Sequence, residues 1–374
     1  MAEMTPQQTI QPATKARQFP CAQCGAKLEY APGTEVLKCP YCTHENVIPK
    51  GTLIVEEQDY HQTLSKLKNN ALEHEPMTVK CSRCAAEVSK PANVSAFRCP
   101  FCGSDIVATE QCHKQVKPGA LLPFKVTRQQ ADGAFRTWLV SLWFAPSGLK
   151  KQGKLDAAIS GVYLPYWTYD CRTITRYTGD RGDYYYVPVT VTVMVNGKPT
   201  MQTQMQQRVR WTPCSGVVDN AFDDLLVPAS RSLPSDKAKI LEPWDLPALV
   251  VYDDAYLSGF AAESYQVELP AGFETAKGLM APEIEATIRG DIGGDVQRIG
   301  GVNVQYLDIT YKHLLLPVWI SSFRYLNKVY QFFVNARTGE VTGERPWSAW
   351  KITGLVVACL IAVGIIVAVV AANR

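Results

Sequence analysis

The chain has 374 residues, enough for two or three domains, and its 47% hydrophobic and 20% charged content is ordinary for folded protein. A formal net charge of only +3 excludes a global electrostatic pull toward nucleic acid or anionic lipid. The opening residues 1–18 are polar and rich in Gln, Thr and Pro, with no apolar run of the signal-peptide kind. They read as a disordered tail, and the thiols beyond them are expected to stay in a reducing compartment.

Residues 19–50 and 79–110 look like two copies of one unit. Eight of the twelve cysteines fall in C-x-x-C pairs: Cys21/Cys24, Cys39/Cys42, Cys81/Cys84 and Cys99/Cys102. Corresponding cysteines keep one offset of 60 (Cys21 to Cys81), which marks an internal duplication. In each unit one knuckle places two sulfurs on one side of a tight turn. The intervening residues form a hairpin that returns the second knuckle opposite. Four thiolates at about 2.3 Å then close a tetrahedron around Zn²⁺, leaving no open position for an activated water. The metal is therefore expected to be structural, because some thirty residues cannot fold on their own core. Gly25 and Gly103 follow knuckles, where a positive φ is often needed. The sequence Cys39-Pro40-Tyr41-Cys42 also matches a glutaredoxin-type redox motif, but that motif opens a helix in a βαβ setting and has no second pair ahead of it. Iron is a chemically competent alternative in a Cys₄ tetrahedron. His44 reads as a surface residue beside a complete shell.

The linker 51–78 carries a short amphipathic pattern over Asp59–Leu72, expected to be a helix that packs on a ribbon. The region 119–345 reads as a β-rich α+β domain. It opens with a helix over Arg128–Phe144, stopped by Pro146 and Gly148. Strands Tyr184–Val195 and Met201–Trp211 flank an Asn196-Gly197 hairpin turn, and a second hairpin joins Leu314–Tyr325 to Val329–Asn335 around Asn327-Lys328. Short helices are expected at Ser235–Leu241 and at Pro282–Ile288. Leu164-Pro165-Tyr166-Trp167 and Leu316-Pro317-Val318-Trp319 repeat an L-P-x-W pattern, with the tryptophans expected in the core and the prolines at a strand edge or bulge. Finally, residues 352–372 carry no charge and, at ~1.5 Å per residue, reach roughly 31 Å, the thickness of a bilayer core. Trp347 and Trp350 precede this span where interfacial aromatics belong, and Arg345 and Lys351 flank the same side.

No phosphate-binding loop, H-E-x-x-H or G-x-S-x-G occurs. The run Gly290–Asp295 reads as a loop, Arg181-Gly182-Asp183 as a turn, Asp253-Asp254 as solvated loop carboxylates, and Cys171 and Cys214 as core or strand residues. The chain is therefore read as not an enzyme. Lys and Arg barely exceed Asp and Glu over the first 118 residues, and each Zn(Cys)₄ centre adds negative charge, so protein partners are favoured over nucleic acid.

The double ribbon, the run from Gly161 to Asp170, the run Leu316–Trp319 and the run Val334–Gly339 resemble a bacterial group of zinc-ribbon membrane proteins. Members of that group are often labelled primosomal protein N′ (replication factor Y), helicase-like, or TFIIB-type zinc-ribbon proteins. The chain lacks the ATP-binding loop a helicase needs, so that activity is not carried over. Similar proteins are associated with membrane-stress systems built around phage-shock protein A, which implies a recruiting or scaffolding role. The expectation is a single-pass protein of the bacterial inner membrane with two zinc ions. Its ribbons and β-rich domain would face the cytoplasm and recruit protein partners. A membrane-tethered nucleic-acid-binding protein is the alternative.

Overall fold

The computed structural model describes residues 19–26, 28–48, 55–68, 78–80, 87–89, 96–98, 105–107, 116–146, 148–149, 159–195, 198–326 and 328–372. The expected tail at 1–18 and the turn Asn196-Gly197 lie outside them. In chain order the elements are β1 (Glu29–Tyr30), β2 (Val36–Lys38), β3 (Glu45–Val47), β4 (Gln58–Asp59), α1 (Tyr60–Lys68), β5 (Thr78–Lys80), β6 (Glu87–Ser89), β7 (Ala96–Arg98), β8 (Asp105–Val107) and β9 (Ala120–Leu121). There follow α2 (Arg128–Ser141), β10 (Ser160–Val195), β11 (Lys198–Pro228), α3 (Ser235–Ile240), β12 (Val250–Val251), β13 (Ala261–Ala262), α4 (Leu269–Ile292), β14 (Val296–Tyr325), β15 (Lys328–Asn335), β16 (Val341–Gly343) and α5 (Ala349–Ala372). The class is mixed α+β, with a β-rich body and one apolar C-terminal helix.

The body is a mainly antiparallel sheet in the order β11-β10-β14-β15-β16. Its central strands are far longer than the hairpins anticipated: β10 runs 36 residues, β11 31 and β14 30. Irregularities at Tyr169/Cys171, Asp170/Arg172 and Tyr177/Gly179 let such long strands bend without ending. Arg181-Gly182-Asp183 lies inside β10 and is not a turn. A Cβ on Gly182 would stand 2.5 Å from a Val296 methyl and 2.8 Å from the Trp211 ring, so only glycine lets the three strands close there. The second hairpin pairs Tyr325 with Lys328, which puts Leu326 in the turn, one position before the expected place; Asn327 lies outside the described residues. Leu326 takes the positive φ of 46° there.

The two L-P-x-W runs pair with each other, centred on Leu164 opposite Leu316. Each has the same surroundings. Parallel β13 joins β10 at Val162 and Tyr163, and parallel β9 joins β14 at Leu314 and Leu315. Antiparallel β11 takes over beside β10 at Tyr166, and β15 beside β14 at Val318. Pro165 and Pro317 sit in those hand-over gaps, where no neighbouring strand asks for an N–H. The edge rule for proline thus holds locally within central strands. The correspondence continues at one offset of 141 (Leu121 to Ala262): β9 matches β13, and the starts of α2 and α4 coincide. Trp319 donates its indole N–H to Val126 O at 2.8 Å, and Trp167 donates to Val267 O at 2.8 Å. Phe124 packs edge-on against Trp319, while Tyr265 tilts against Trp167. Both tryptophans are buried, as core residues should be. The body is therefore two copies of a strand–helix–long hairpin unit that exchange their short strands.

The α2 helix starts with a capping box between Thr127 and Gln130 and ends three residues earlier than expected. The α4 helix spans 24 residues across Pro282, which the sequence places at a helix start. Pro282 and Gly278, four residues before it, both face solvent, so the carbonyl that loses its partner is hydrated. The opposite stripe, Phe273, Ala276, Met280, Ile284 and Ile288, is buried against the sheet. Gly290–Ile292 is the last turn of this helix, and Gly293 and Gly294 end it with φ of 64° and 73°. Asp59 caps α1 by accepting from Gln62 N–H at 2.6 Å. Among the described residues α1 packs on the large sheet in place of the expected ribbon: Tyr60 meets Phe273, Tyr311 OH bonds Gln58 and Thr63, and β4 pairs with β14.

Candidate metal centre and its surroundings

The first C-x-x-C knuckle and the second have one backbone plan. Gly25 N–H donates to Cys21 O and Thr43 N–H to Cys39 O, at 2.9 and 3.0 Å. Cys21 N–H donates to Ala26 O and Cys39 N–H to His44 O, at 2.7 and 2.9 Å. The residue after each second cysteine takes positive φ, 73° at Gly25 and 61° at Thr43. Strands β2 and β3 join the knuckles into a three-stranded sheet with β1.

This plan brings Cys21, Cys24, Cys39 and Cys42 together, with every pair of sulfurs within 4.8 Å. Cys21 and Cys42 sulfurs lie 3.5 Å apart, as do those of Cys24 and Cys39. A tetrahedron with ~2.3 Å metal–sulfur bonds requires roughly 3.8 Å between sulfurs, so the four fit one Zn²⁺ with small adjustment. The backbone amides of Cys42 and Tyr41 hold the Cys39 thiol down to about 6, although burial opposes them. Aimed N–H groups favour thiolate, the form that binds metal. His44 is exposed and meets the knuckle through its backbone, whose carbonyl accepts from Cys39 N–H and whose amide faces the Cys42 thiol. Cys39 and Cys42 sit on a turn between strands and not at a helix start, the setting the redox motif needs.

Cys81, Cys84, Cys99 and Cys102, and Gly103, lie outside the described residues. The strands beside them are described. Lys80 pairs with Glu87 across one knuckle and Arg98 with Asp105 across the other. The second of these pairs matches Lys38 with Glu45 of the first unit at the 60-residue offset.

The first unit is built into the body, a fact its spacing does not carry. Leu28, Tyr30, Leu37 and Ile48 share one core with Phe124, Tyr163 and Tyr256. Tyr30 N–H donates to Ser258 O at 2.9 Å, Ser258 Oγ to Leu28 O at 2.5 Å, and Gly33 N–H to Phe124 O at 2.8 Å. Between the ribbon and the sheet opens a cleft of about 1100 Å³, whose wall includes Tyr30, Glu35, Glu57, Lys125, Lys312 and Arg337. Carboxylates of Glu57, Asp170 and Asp223 come within 4.8 Å of one another beside it. Lys312 occupies the cluster's charge, reaching Asp224 at 2.6 Å, Glu57 at 3.1 Å and Asp170 at 3.5 Å. Burial pushes Asp170 up to about 6, against the pull of the Asp224 amide and Lys312. The three carboxylates around Lys312 outweigh its burial and raise its ammonium.

Asp253 and Asp254 are not idle loop carboxylates. Asp253 accepts from Ala255 N–H and Asp254 from Tyr252 OH, each at 2.8 Å, which fixes the short turn under the ribbon. Cys171 is buried 3.7 Å from the Met280 sulfur, and burial pushes its thiol up to about 11, so it behaves as a core residue. Cys214 is half-buried on β11, and Cys359 is exposed on α5.

The α5 helix is long and apolar enough to cross a membrane, and none of the described residues buries its apolar stretch. Its 24 residues reach about 36 Å at 1.5 Å each.

No family model matches the chain. It is similar to the uncharacterized protein YdjG of Bacillus subtilis strain 168, at 25% identity over 263 residues, covering 67% of this chain and 70% of that protein. No solved structure matches.

Proposed function

We propose that the protein is a membrane-anchored adaptor, held by α5, that offers a sparsely charged β arm to a cytosolic protein partner. The arm carries this reading. Beyond the pair Gly182–Val296, β14 ends and the β10–β11 ribbon continues alone from Tyr184–Val209 to Val195–Lys198. At ~3.3 Å per residue the arm is roughly 40 Å long. Val187, Val189, Val191 and Val193 line one face, opposite Gln206, Gln204, Gln202 and Thr200. None of these valines is buried, and Met194, Met201 and Met205 are exposed on the other face. From Tyr184 to Gln207 the only charged residue is Lys198.

An isolated two-stranded ribbon is marginal in water, and an edge with so few charges is a template for another strand. A partner that adds a strand or covers the valine row would supply the missing burial. A phosphate-binding surface would need more cations than Lys198 and Arg208, the two this arm carries.

The remaining parts fit the same reading. Zinc in Cys21, Cys24, Cys39 and Cys42 fixes the first ribbon against the sheet, and a second zinc in Cys81, Cys84, Cys99 and Cys102 is the counterpart in the repeat. Arg345 and Lys351 stand on the domain side of α5, the side the positive-inside rule assigns to the cytoplasm. No catalytic step is part of this function. The test replaces residues 186–205 by a two-residue turn in the full-length protein. Affinity capture from membranes should then lose specific partners while membrane insertion and zinc content stay unchanged. An unaltered set of captured proteins would refute the arm as the docking element.

A further inference from the structure

The start of α5 is strapped to the end of α2. Lys351 Nζ donates to Trp143 O at 3.1 Å and to Ala145 O at 2.7 Å. Ser348 N–H donates to Phe144 O at 2.8 Å, and the Phe144 ring lies 6.2 Å from the Trp347 ring. Arg345 stacks over Trp347 at 4.3 Å. The carbonyls that follow α2 have no partner within their own helix, and the lysine ammonium satisfies two of them.

Around this strap lie large, exposed apolar side chains. Trp143 is 78% exposed, Val140 63%, Trp347 57% and Trp350 88%. Val140 lies in the last turn of α2, off its buried stripe of Ala131, Phe135 and Leu139, and Trp143 follows in the turn just past the helix end. A soluble surface seldom gathers three exposed tryptophans at one place. Tryptophan with flanking Lys and Arg is instead the composition of a membrane–water interface.

We infer that the end of α2, through Val140 and Trp143, is a second membrane contact lying in the headgroup layer of the bilayer that α5 crosses. The inference rests on the membrane-anchor reading above. Its physical reason is continuity. Lys351 belongs to the first turn of the span, and an ammonium there must sit at headgroup level. A carbonyl 3.1 Å from that ammonium is then at the same depth, and so is the residue that bears it. The contact is also rigid. Phe135 of α2 stacks on Phe332 of β15 with ring centroids 3.7 Å apart, so the seated helix end fixes how the sheet stands on the membrane. The sheet's other end, at Gly182 and Val296, and the arm beyond it point away from the strapped end of β14. The occupant of the patch is therefore lipid, and the arm is left for protein.

The test uses the full-length chain labelled with 5-fluorotryptophan in phosphatidylcholine–phosphatidylglycerol nanodiscs. Trp143→Phe and Trp350→Phe assign two of the eight tryptophan signals. A lipid nitroxide placed near the headgroup should broaden Trp143 and Trp350 alike, several-fold more than buried Trp167. A water-soluble gadolinium chelate should broaden Trp143 less than half as much as a solvent-exposed indole standard. Broadening of Trp350 by the lipid probe, with Trp143 relaxed only by the aqueous probe, would overturn the inference and leave the anchor intact. Insensitivity of Trp143 to both probes would also overturn it, because a protein surface would then cover the patch. If neither tryptophan responds to lipid, the anchor reading itself fails. An unchanged Trp167 shift in Trp143→Phe confirms that the variant is folded.

Discussion

Replacing Lys312 by Met tests the buried charge cluster behind the cleft. Lys312 and Asp170 keep only 10% and 12% of their side-chain surface, whereas Asp224 and Glu57 keep 34% and 43%. Removal of the ammonium leaves the last two able to hydrate and Asp170 unable to. Breaking one side of a buried pair costs about 3–5 kcal/mol. Asp170 already sits at about 6 and can relieve part of that cost by taking a proton, so the expected loss at pH 7.5 is near the lower limit, about 3 kcal/mol. The sign with pH follows from the raised carboxyl. Its neutral form is favoured by folding, so the folded protein holds the extra proton between roughly pH 4 and 6, and stability falls as pH rises through 6. Lys312, whose ammonium is raised, stays charged throughout that window and adds no slope of its own. At pH 5 Asp170 is mostly neutral with or without the lysine, and the cost of K312M should shrink to about 1 kcal/mol, the value of partly exposed pairs. Thermal unfolding of the full chain in detergent, followed by circular dichroism, should show Tm lowered by roughly 6–12 °C at pH 7.5 and by about 2–4 °C at pH 5. The variant D170N/K312M should recover most of the pH 7.5 loss. Equal drops at both pH values, or no rescue by D170N, would refute the account of the cluster.

Three further outcomes are expected. Metal analysis of the full-length protein should give about two zinc per chain on Cys₄ stoichiometry, and a folded protein without zinc would contradict both centres. Cys39→Ser should remove one zinc and also increase hydrogen exchange at Phe124 and Ser258, because the first ribbon shares a core with them; unchanged exchange there would show the ribbon to be independent. Trp167→Phe and Trp319→Phe each strand one backbone carbonyl, so each should cost about 1–3 kcal/mol by denaturant unfolding. A cost at one position alone would refute the equivalence of the two halves.

The four-cysteine cluster of the first unit was legible because a C-x-x-C knuckle is a local object: six residues fix the turn, the positive φ and both sulfurs. The long apolar helix was legible because bilayer thickness turns into a count of apolar residues. The helix at 269–292 was not, because Pro282 looks like a boundary until the fold places it and Gly278 on the solvent side, where the free carbonyl needs no protein partner. Strands of thirty residues were not legible either. Gly182 reads as part of a turn and Pro165 and Pro317 as strand-edge or bulge residues, but neighbouring strands supply the pairing that carries the chain through them. The L-P-x-W repeat was visible, yet its meaning was tertiary: a pair of strands facing each other across Leu164 and Leu316, with each tryptophan bonded to the chain just ahead of α2 or α4. Lys312, Asp170 and Glu57 lie far apart in the chain and carry no motif. By itself the sequence determined what depends on spacing within one turn or one span, since covalent geometry limits those outcomes. Only the tertiary structure decided that the first ribbon is part of the sheet's core, that α1 serves the sheet, and that the end of α2 lies beside the membrane helix. Those contacts join residues separated by hundreds of positions, and burial and hydrogen-bond complementarity select them only when the whole chain has folded.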